Sequence, residues 1–341
     1  MRTISLTGTS GVGLVERPEP VAKDDIVKVQ LRVVPMCTEF KAYAAGPPSD
    51  HLGHEAAGVV VDPGSSHRVG EGDRVVVMPQ YGCGVCILCT SGEHIYCPHQ
   101  RDVLSETGSS FGTATFAEYL IKPDWLLLPV PVDISLRHAA MACCALGPSF
   151  NAMNAMRVSA LDTVLVIGCG PVGLGAVVNA VARGARVVAV DINHYRLTLA
   201  KKLGAIAGVD ASSPTASQEI LGLCPSDGAD AMFDSTGLPE SVRLMEKVAR
   251  ARARLSFVAM NQPLELHRVV QRGLEVHGCW HWNHQRYASD MFEVILRSND
   301  ALNALVTHEF ALDNVEEAFQ VQLSGACGKV LLYPFGAEVS I

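Results

Sequence analysis

Cys83, Cys86, Cys89 and Cys97 stand in the spacing C-x2-C-x2-C-x7-C. Four thiolates on one short segment suit a closed, tetrahedral structural zinc site. Such a site contributes folding energy to its loop and leaves no open position for chemistry. The competing uses are an iron–sulfur cluster, two disulfides or four unrelated thiols. The x7 gap departs from the common ferredoxin spacings, and an intracellular reading of the chain argues against disulfides. Structural zinc is the expectation.

A second pattern is Gly168-Cys169-Gly170-Pro171-Val172-Gly173, a G-x-G-x-x-G. It follows the apolar run Thr163–Ile167 and opens a helical pattern over Pro171–Ala182. In that context Gly168 permits a tight turn, Gly170 lets the backbone approach a pyrophosphate, and Gly173 allows close helix–strand packing. The N–H groups of the helix start would face the phosphates. Asp191 closes the next strand, where a carboxylate accepts from the adenosine ribose hydroxyls and repels a 2′-phosphate. NAD is therefore expected over NADP, and Arg196 is the nearby residue that keeps NADP in view.

A third set is scattered. His54 and Glu55 lie in Gly53-His54-Glu55, Cys37 lies upstream, and Cys144 lies downstream beside Cys143. Two thiolates, an imidazole and water make an open catalytic zinc. Spacing alone leaves that reading beside a second one, packed core residues, because unpaired Cys is commonly buried.

These residues need elements to hold them. Strand-like runs at Ile26–Val34, Ala57–Val61, Asp73–Val77 and Phe116–Ile121 are separated by turn residues, so residues 1–146 read as an irregular, mostly β region. Tyr81–Leu104 is too long for an unstructured loop. From Thr163, strands alternate with helices: Arg186–Val190, Asn193–Leu203, Ala231–Phe233, Leu255–Val258 and Leu274–His277, the mark of βαβ units. A helix over Tyr287–Leu296, a strand over Val306–Phe310, a helix over Val315–Leu323 and a strand over Lys329–Tyr333 complete the chain.

Composition agrees with an α/β protein. The 341 residues suit about two domains. A formal net charge of −8 gives nucleic-acid binding no basic footprint. No apolar run is long enough to span a bilayer, and the N-terminus lacks a signal peptide's apolar region. The expectation is a cytoplasmic protein with neither a membrane nor a nucleic-acid partner.

Taken in order, Gly-His-Glu at 53–55, the four-cysteine loop, the Gly-rich turn and Asp191 resemble the zinc-dependent medium-chain alcohol and polyol dehydrogenases, over essentially the whole chain. The resemblance implies a GroES-like, mostly-β catalytic domain (1–146 and 282–341) and a Rossmann NAD-binding domain (147–281). It also implies two zincs per chain, NAD, a small-molecule alcohol or ketone substrate, and a homodimer or homotetramer. By position, His54 is a catalytic zinc ligand and Glu55 the neighbouring carboxylate that exchanges onto the metal. Cys144 is the third ligand, with Cys143 its competitor; the polyol branch often has a Glu where this chain has Gly147. Lys329 corresponds to a residue touching the cofactor pyrophosphate, against the alternative of a solvated strand-edge lysine.

The chain departs from the family at Met36-Cys37-Thr38-Glu39. One register puts Met36 at the ligand position; the other makes Cys37 the ligand and requires a one-residue deletion. Methionine is a poor partner for zinc beside thiolate and imidazole, so Cys37 is expected. Thr38 is then the hydroxyl that handles the substrate proton, with Glu39 its rival and Lys41 near where some members carry a relay His. The implied reaction moves a hydride between NAD(H) and a secondary alcohol, with a polyol, sugar or cyclitol favoured. Trp280 and Trp282, with His281, Asn283 and His284, are candidate sugar contacts, against an interface or core role. Phe150, Asn151 and Asn154 are further pocket candidates. Two alternatives stand: a zinc-free quinone or enone reductase of the same fold, and a non-catalytic NAD- and zinc-binding protein.

Overall fold

A computed structural model describes residues 1–225, 227–259 and 266–336. The strands, in chain order, are β1 (Arg2–Gly8), β2 (Gly11–Glu16), β3 (Ile26–Pro35), β4 (Ala56–Asp62), β5 (Arg74–Val77), β6 (Tyr119–Pro123) and β7 (Leu127–Pro129). They continue with β8 (Thr163–Ile167), β9 (Arg186–Asp191), β10 (Ala207–Asp210), β11 (Ala229–Asp234), β12 (Ala249–Phe257) and β13 (Glu275–Gly278), and end with β14 (Val306–Ala311) and β15 (Lys329–Tyr333). The chain divides into two units. One comprises Met1–Cys143, Asn283–Ile295 and Val306–Ile341; the other comprises Cys144–Trp282 and Leu296–Leu305.

The first unit is built on a sheet ordered β14-β15-β3-β4-β5-β7, with β6 also paired to β3. All its pairings are antiparallel except β14 with β15. β3 is its longest strand and is rich in valine, which fits a pleated, buried surface. Val27, Val29, Leu31 and Val34 join Tyr43, Phe116 and Phe319 in one apolar core. The stretch 81–104 is not bare loop: it contains helical turns at Ile87–Thr90, His94–Tyr96 and, at its end, Val103–Thr107.

The second unit carries a six-stranded parallel sheet ordered β10-β9-β8-β11-β12-β13. Numbered within the unit this is 3-2-1-4-5-6, the Rossmann order, which reverses direction between β8 and β11. β8 and β11 are buried on both faces; β8 is an almost wholly apolar run, while β11 carries Asp230 and Asp234 among its apolar residues. The helix Pro171–Ala182 begins at the proline because proline lacks only an N–H that a first-turn position would leave unpaired anyway. Among the described residues no helix is long and apolar enough to cross a membrane.

Candidate metal centres and nucleotide site

The four loop cysteines converge, with one sulfur from each within 4.8 Å of the others. Cys97 Sγ lies 3.6 Å from Cys86 Sγ and 3.7 Å from Cys83 Sγ. A disulfide needs about 2.05 Å, whereas a tetrahedron with ~2.3 Å zinc–sulfur bonds has edges of about 3.8 Å. The donor set and spacing therefore fit zinc. Backbone N–H groups of Cys83 and His99 point at Cys97 Sγ, at 3.5 and 3.4 Å. Backbone hydrogen bonds from Val85 and Cys86 lower the Cys83 pKa to about 6, so its thiolate is accessible at neutral pH. Burial raises Cys89 to about 12, so that sulfur needs a metal to lose its proton.

The loop's supports were not legible in the sequence. Gly84 has φ +80, and a Cβ there would sit 2.4 Å from the Trp125 ring; at Gly92 it would meet Asn283 at 2.2 Å. Asn283 Nδ2 donates to Ser91 O at 2.7 Å and to Glu93 Oε1 at 3.1 Å. The His94 ring stacks on His284, centroids 5.3 Å apart. Burial, then the charges of His284 and Arg68, lower the His94 pKa from 6.5 to about 4. An unfolded His94 takes up its proton first, so stability present above pH 6.5 is lost as the pH falls toward 4. In excess zinc the urea midpoint is expected to fall over that range, and less steeply in His94→Phe; equal slopes would exclude His94 as the cause.

Cys37, His54, Glu55 and Cys144 form the second convergent group, again with one ligand atom each within 4.8 Å. Met36 is fully buried in the apolar core, its N–H bonded to Val330 O at 2.9 Å. Neighbouring residues of extended chain face opposite ways, and Cys37 turns to the cluster. Glu39 starts the helix Glu39–Ala45. Its Oε1 lies 2.7 Å from His54 Nδ1, and its Oε2 accepts the Cys37 N–H at 2.8 Å. That places the His54 proton on Nδ1 and leaves Nε2 to ligate. Burial opposes a charge on His54, but hydrogen bonds to Cys37 and Glu39 overcome it and raise its pKa to about 11. A donor set that holds a proton this strongly suits a cation. Thr38 is exposed, and its side chain makes no capping bond to the helix it precedes.

Glu55 is wholly buried, and so is Lys329, whose Nζ donates to Glu55 Oε1 at 2.8 Å. Both the pyrophosphate contact and the solvated strand-edge reading of Lys329 are therefore corrected: its ammonium has no exposed surface and is spent on a buried ion pair. Burial raises the Glu55 pKa to about 7, with the Cys37 charge adding to the rise and Lys329 and His54 opposing it. Cys143 is fully buried, with its Sγ donating to Val77 O at 3.4 Å, and burial pushes its thiol pKa well up. It packs in the core, while Cys144 joins the cluster. No described cysteine, in either cluster or elsewhere, forms a disulfide.

In the nucleotide turn Gly168 has φ +83. Gly170 is extended at the helix N-cap, and no side chain caps the helix. A Cβ on Gly173 would lie 1.7 Å from Gly168 O, while a Cβ on Gly170 would meet nothing within 4 Å. Pro171 and Val172 form the half-buried first turn. Asp191 Oδ2 accepts the Cys169 N–H at 2.5 Å and Oδ1 accepts the Asn193 N–H at 2.8 Å. A carboxylate retains further lone pairs for hydroxyl donors. Arg196 Nε is buried without a partner among the described residues. Open space over Gly170 and an unpaired Arg196 donor fit a dinucleotide. Gly173→Ala is expected to cost several kcal/mol, as backbone overpacking does. Gly170→Ala should fold within about 0.5 kcal/mol of the parent yet bind NADH at least tenfold more weakly; urea melts and NADH titration check both.

The aromatic segment divides. Trp280 is 61% exposed and Trp282 2%. Trp282 packs edge-on against Phe150, Asn151 Nδ2 donates to His281 O at 2.8 Å, and Asn154 Oδ1 accepts from Arg183 Nη2 at 2.8 Å. These residues serve packing in the second unit: Trp282 takes the core role weighed in the sequence and does not pair with the exposed Trp280 as a stacking surface.

The alcohol dehydrogenase GroES-like domain family matches residues 23–132, and the zinc-binding dehydrogenase family matches residues 171–297. An L-threonine 3-dehydrogenase of Chromobacterium violaceum is 32% identical over 296 residues, covering 83% of this chain and 82% of its own. The chain belongs to the zinc-dependent medium-chain dehydrogenase family. An L-threonine 3-dehydrogenase of Bacillus velezensis is 30% identical over 344 residues, 95% of this chain and 96% of its own. An alcohol dehydrogenase from Thermus sp. ATN1 shares the fold of these dehydrogenases, with a TM-score of 0.87 at 23% identity over 98% of this chain and 99% of that one. Membership makes the chain an oxidoreductase of the family's α/β architecture.

Proposed function

We propose that the chain is an NAD-dependent dehydrogenase that moves a hydride between NAD(H) and a secondary alcohol or its ketone, the alcohol belonging to the polyols, sugars or cyclitols. The convergence of Cys37, His54, Glu55 and Cys144 carries this reading. The curated relatives are named for dehydrogenation of L-threonine at position 3, a carbon that bears a secondary hydroxyl beside polar groups.

In this reading Cys37, His54 and Cys144 hold one zinc, and Cys83, Cys86, Cys89 and Cys97 hold a second. The glycines of 168–173, Pro171, Val172, Asp191 and Arg196 hold NAD. Residues 1–146 and 282–341 form the catalytic domain and 147–281 the cofactor domain, except that Leu296–Leu305 pack with the second unit, in a homodimer or homotetramer. When bound, zinc supplies Lewis acidity toward the substrate oxygen and NAD carries the hydride. Thr38 accepts the substrate hydroxyl proton as its own hydroxyl proton passes to the solvent it is exposed to. Both Glu39 oxygens are engaged by His54 and Cys37, so Glu39 orients the ligand rather than relaying the proton. Glu55 lies within the same cluster and is held by Lys329. The zinc-free reductase reading depended on Met36 at the ligand position, and a fully buried Met36 gives it no support. Zinc per chain by elemental analysis, with NAD reduction across a panel of secondary alcohols, tests the proposal. Two zincs and turnover would support it; one zinc with enone reduction would favour the reductase.

A further inference from the structure

The buried face of the helix Val315–Ser324 is formed by Val315, Ala318, Phe319 and Gln322. Steps of three, one and three residues make the core stripe of an amphipathic helix. Val315, Ala318 and Phe319 join the apolar core of the first unit. The fourth member is a primary amide with 6% of its surface exposed. Its Nε2 donates to the carbonyl of Cys37 at 3.3 Å. Its Oε1 is buried and has no hydrogen-bond partner among the described residues. A leucine or methionine fills a similar volume without burying an amide. A buried amide whose oxygen goes unpaired is destabilising, so its presence at a core position calls for an explanation.

The donor end of the amide supplies one. Met36 and Cys37 are the pair of which one side chain enters the core and the next turns to the cluster. Their backbone is held by three hydrogen bonds: Met36 N–H to Val330 O at 2.9 Å, Cys37 N–H to Glu39 Oε2 at 2.8 Å, and Gln322 Nε2 to Cys37 O at 3.3 Å. A residue has only two soft backbone dihedrals. Glu39 anchors the peptide before the Cys37 Cα and Gln322 the peptide after it, so the Cα–Cβ bond between them keeps one direction. A carbonyl without its donor can tilt, and that bond tilts with it. The same helix steadies the chain just beyond. Phe319 stacks on Tyr43 with ring centroids 4.7 Å apart, and Gln320 Nε2 donates to Tyr43 Oη at 3.0 Å. We propose that Gln322 is a positioning residue for the Cys37–His54–Cys144 site, its amide holding the Cys37 carbonyl so that Met36 stays in the core and the Cys37 sulfur is aimed at the metal. The proposal rests on the reading that this cluster holds zinc. It adds the residue, 285 positions along the chain, that aims one of the ligands.

The test titrates a chelator against the zinc-loaded full chain and records the thiolate charge-transfer and d–d bands after cobalt(II) replaces zinc. Cys37→Ser supplies the loop site's signal alone, so the two sites are read separately. In Gln322→Leu and Gln322→Met the Cys37-dependent zinc is expected to bind about 10–100-fold more weakly, the usual effect of losing a residue that orients a ligand. The Cys37-dependent cobalt bands should shift, and the loop zinc should keep its wild-type affinity. Gln320→Leu removes the neighbouring amide, which bonds Tyr43 instead, and is expected to leave both zincs and the bands unchanged. Wild-type affinity and bands in both Gln322 variants would overturn the assignment. So would an equal loss in Gln320→Leu, or loss of the loop zinc in both Gln322 variants, because each marks a general loosening of the fold. A wild type that holds only the loop zinc would instead overturn the zinc reading of the cluster itself.

Discussion

Cys37→Ser is expected to lower the zinc content from two to one per chain and kcat/KM on a secondary alcohol by about a thousandfold. The magnitude follows from losing about 4 kcal/mol of Lewis-acid stabilisation of the reacting oxygen, at 1.36 kcal/mol per tenfold. The fold should survive, because Cys37 is only half-buried and its N–H bond to Glu39 belongs to the backbone. Met36→Ala provides the opposite signature: Met36 is fully buried, so its truncation should cost roughly 2–5 kcal/mol of stability while keeping both zincs. Glu39→Gln should fall between, weakening zinc about 10–100-fold through the loss of a charged partner for His54. Elemental analysis, urea melts and steady-state rates separate the three. Unchanged zinc in Cys37→Ser together with zinc loss in Met36→Ala would reverse the register.

Lys329→Met is expected to destabilise the protein by roughly 3–5 kcal/mol, the cost of leaving one partner of a buried ion pair alone. Both side chains have no exposed surface, so water cannot replace the lost ammonium. The sign with pH follows from Glu55. Its pKa is raised by burial from 4.5 to about 7, so Glu55 binds its proton more tightly folded than unfolded, and its stability contribution is present below pH 4.5 and lost as pH rises through 7. Removing the cation strengthens that trend, so the deficit of Lys329→Met should be largest at alkaline pH and shrink in acid. Glu55→Gln with Lys329→Met should recover most of the loss, since a neutral amide needs no counter-charge. A single variant as stable as the parent at pH 8 would remove the pair from the list of structural determinants.

Much of the architecture was legible because its signals are periodic and local. Thr163–Ile167, Pro171–Ala182 and Lys329–Tyr333 occur with the expected bounds, each an apolar run ended by glycine, proline or a cap. The strand expected over Phe116–Ile121 instead runs over Tyr119–Pro123. Phe116 and Ala117 are apolar like strand residues, but they are buried ahead of the β3 pairing, where Ala117 bridges to Thr3. The helix at Gly147–Ala155 escaped the sequence reading because glycine and proline at its start mimic a loop, although proline at a first turn is helix-compatible. The tryptophan segment misled for a different reason. Residue type does not say which of two aromatics two positions apart faces the core, and Trp282 does while Trp280 does not.

The four-cysteine loop and the dinucleotide turn were determined by the sequence alone. Their functional atoms lie within one short segment or one βαβ unit, where covalent reach, glycine φ angles and a helix start leave few arrangements. Which of Met36 and Cys37, and which of Cys143 and Cys144, joins the group around His54, the double engagement of Glu39 and the pairing of Glu55 with Lys329 were decided only by the tertiary structure. The last pair is separated by 274 residues, and the first two turn on which of two adjacent side chains faces a core. That choice depends on strand register and packing, because a one-residue shift along an extended chain sends every side chain to the opposite side.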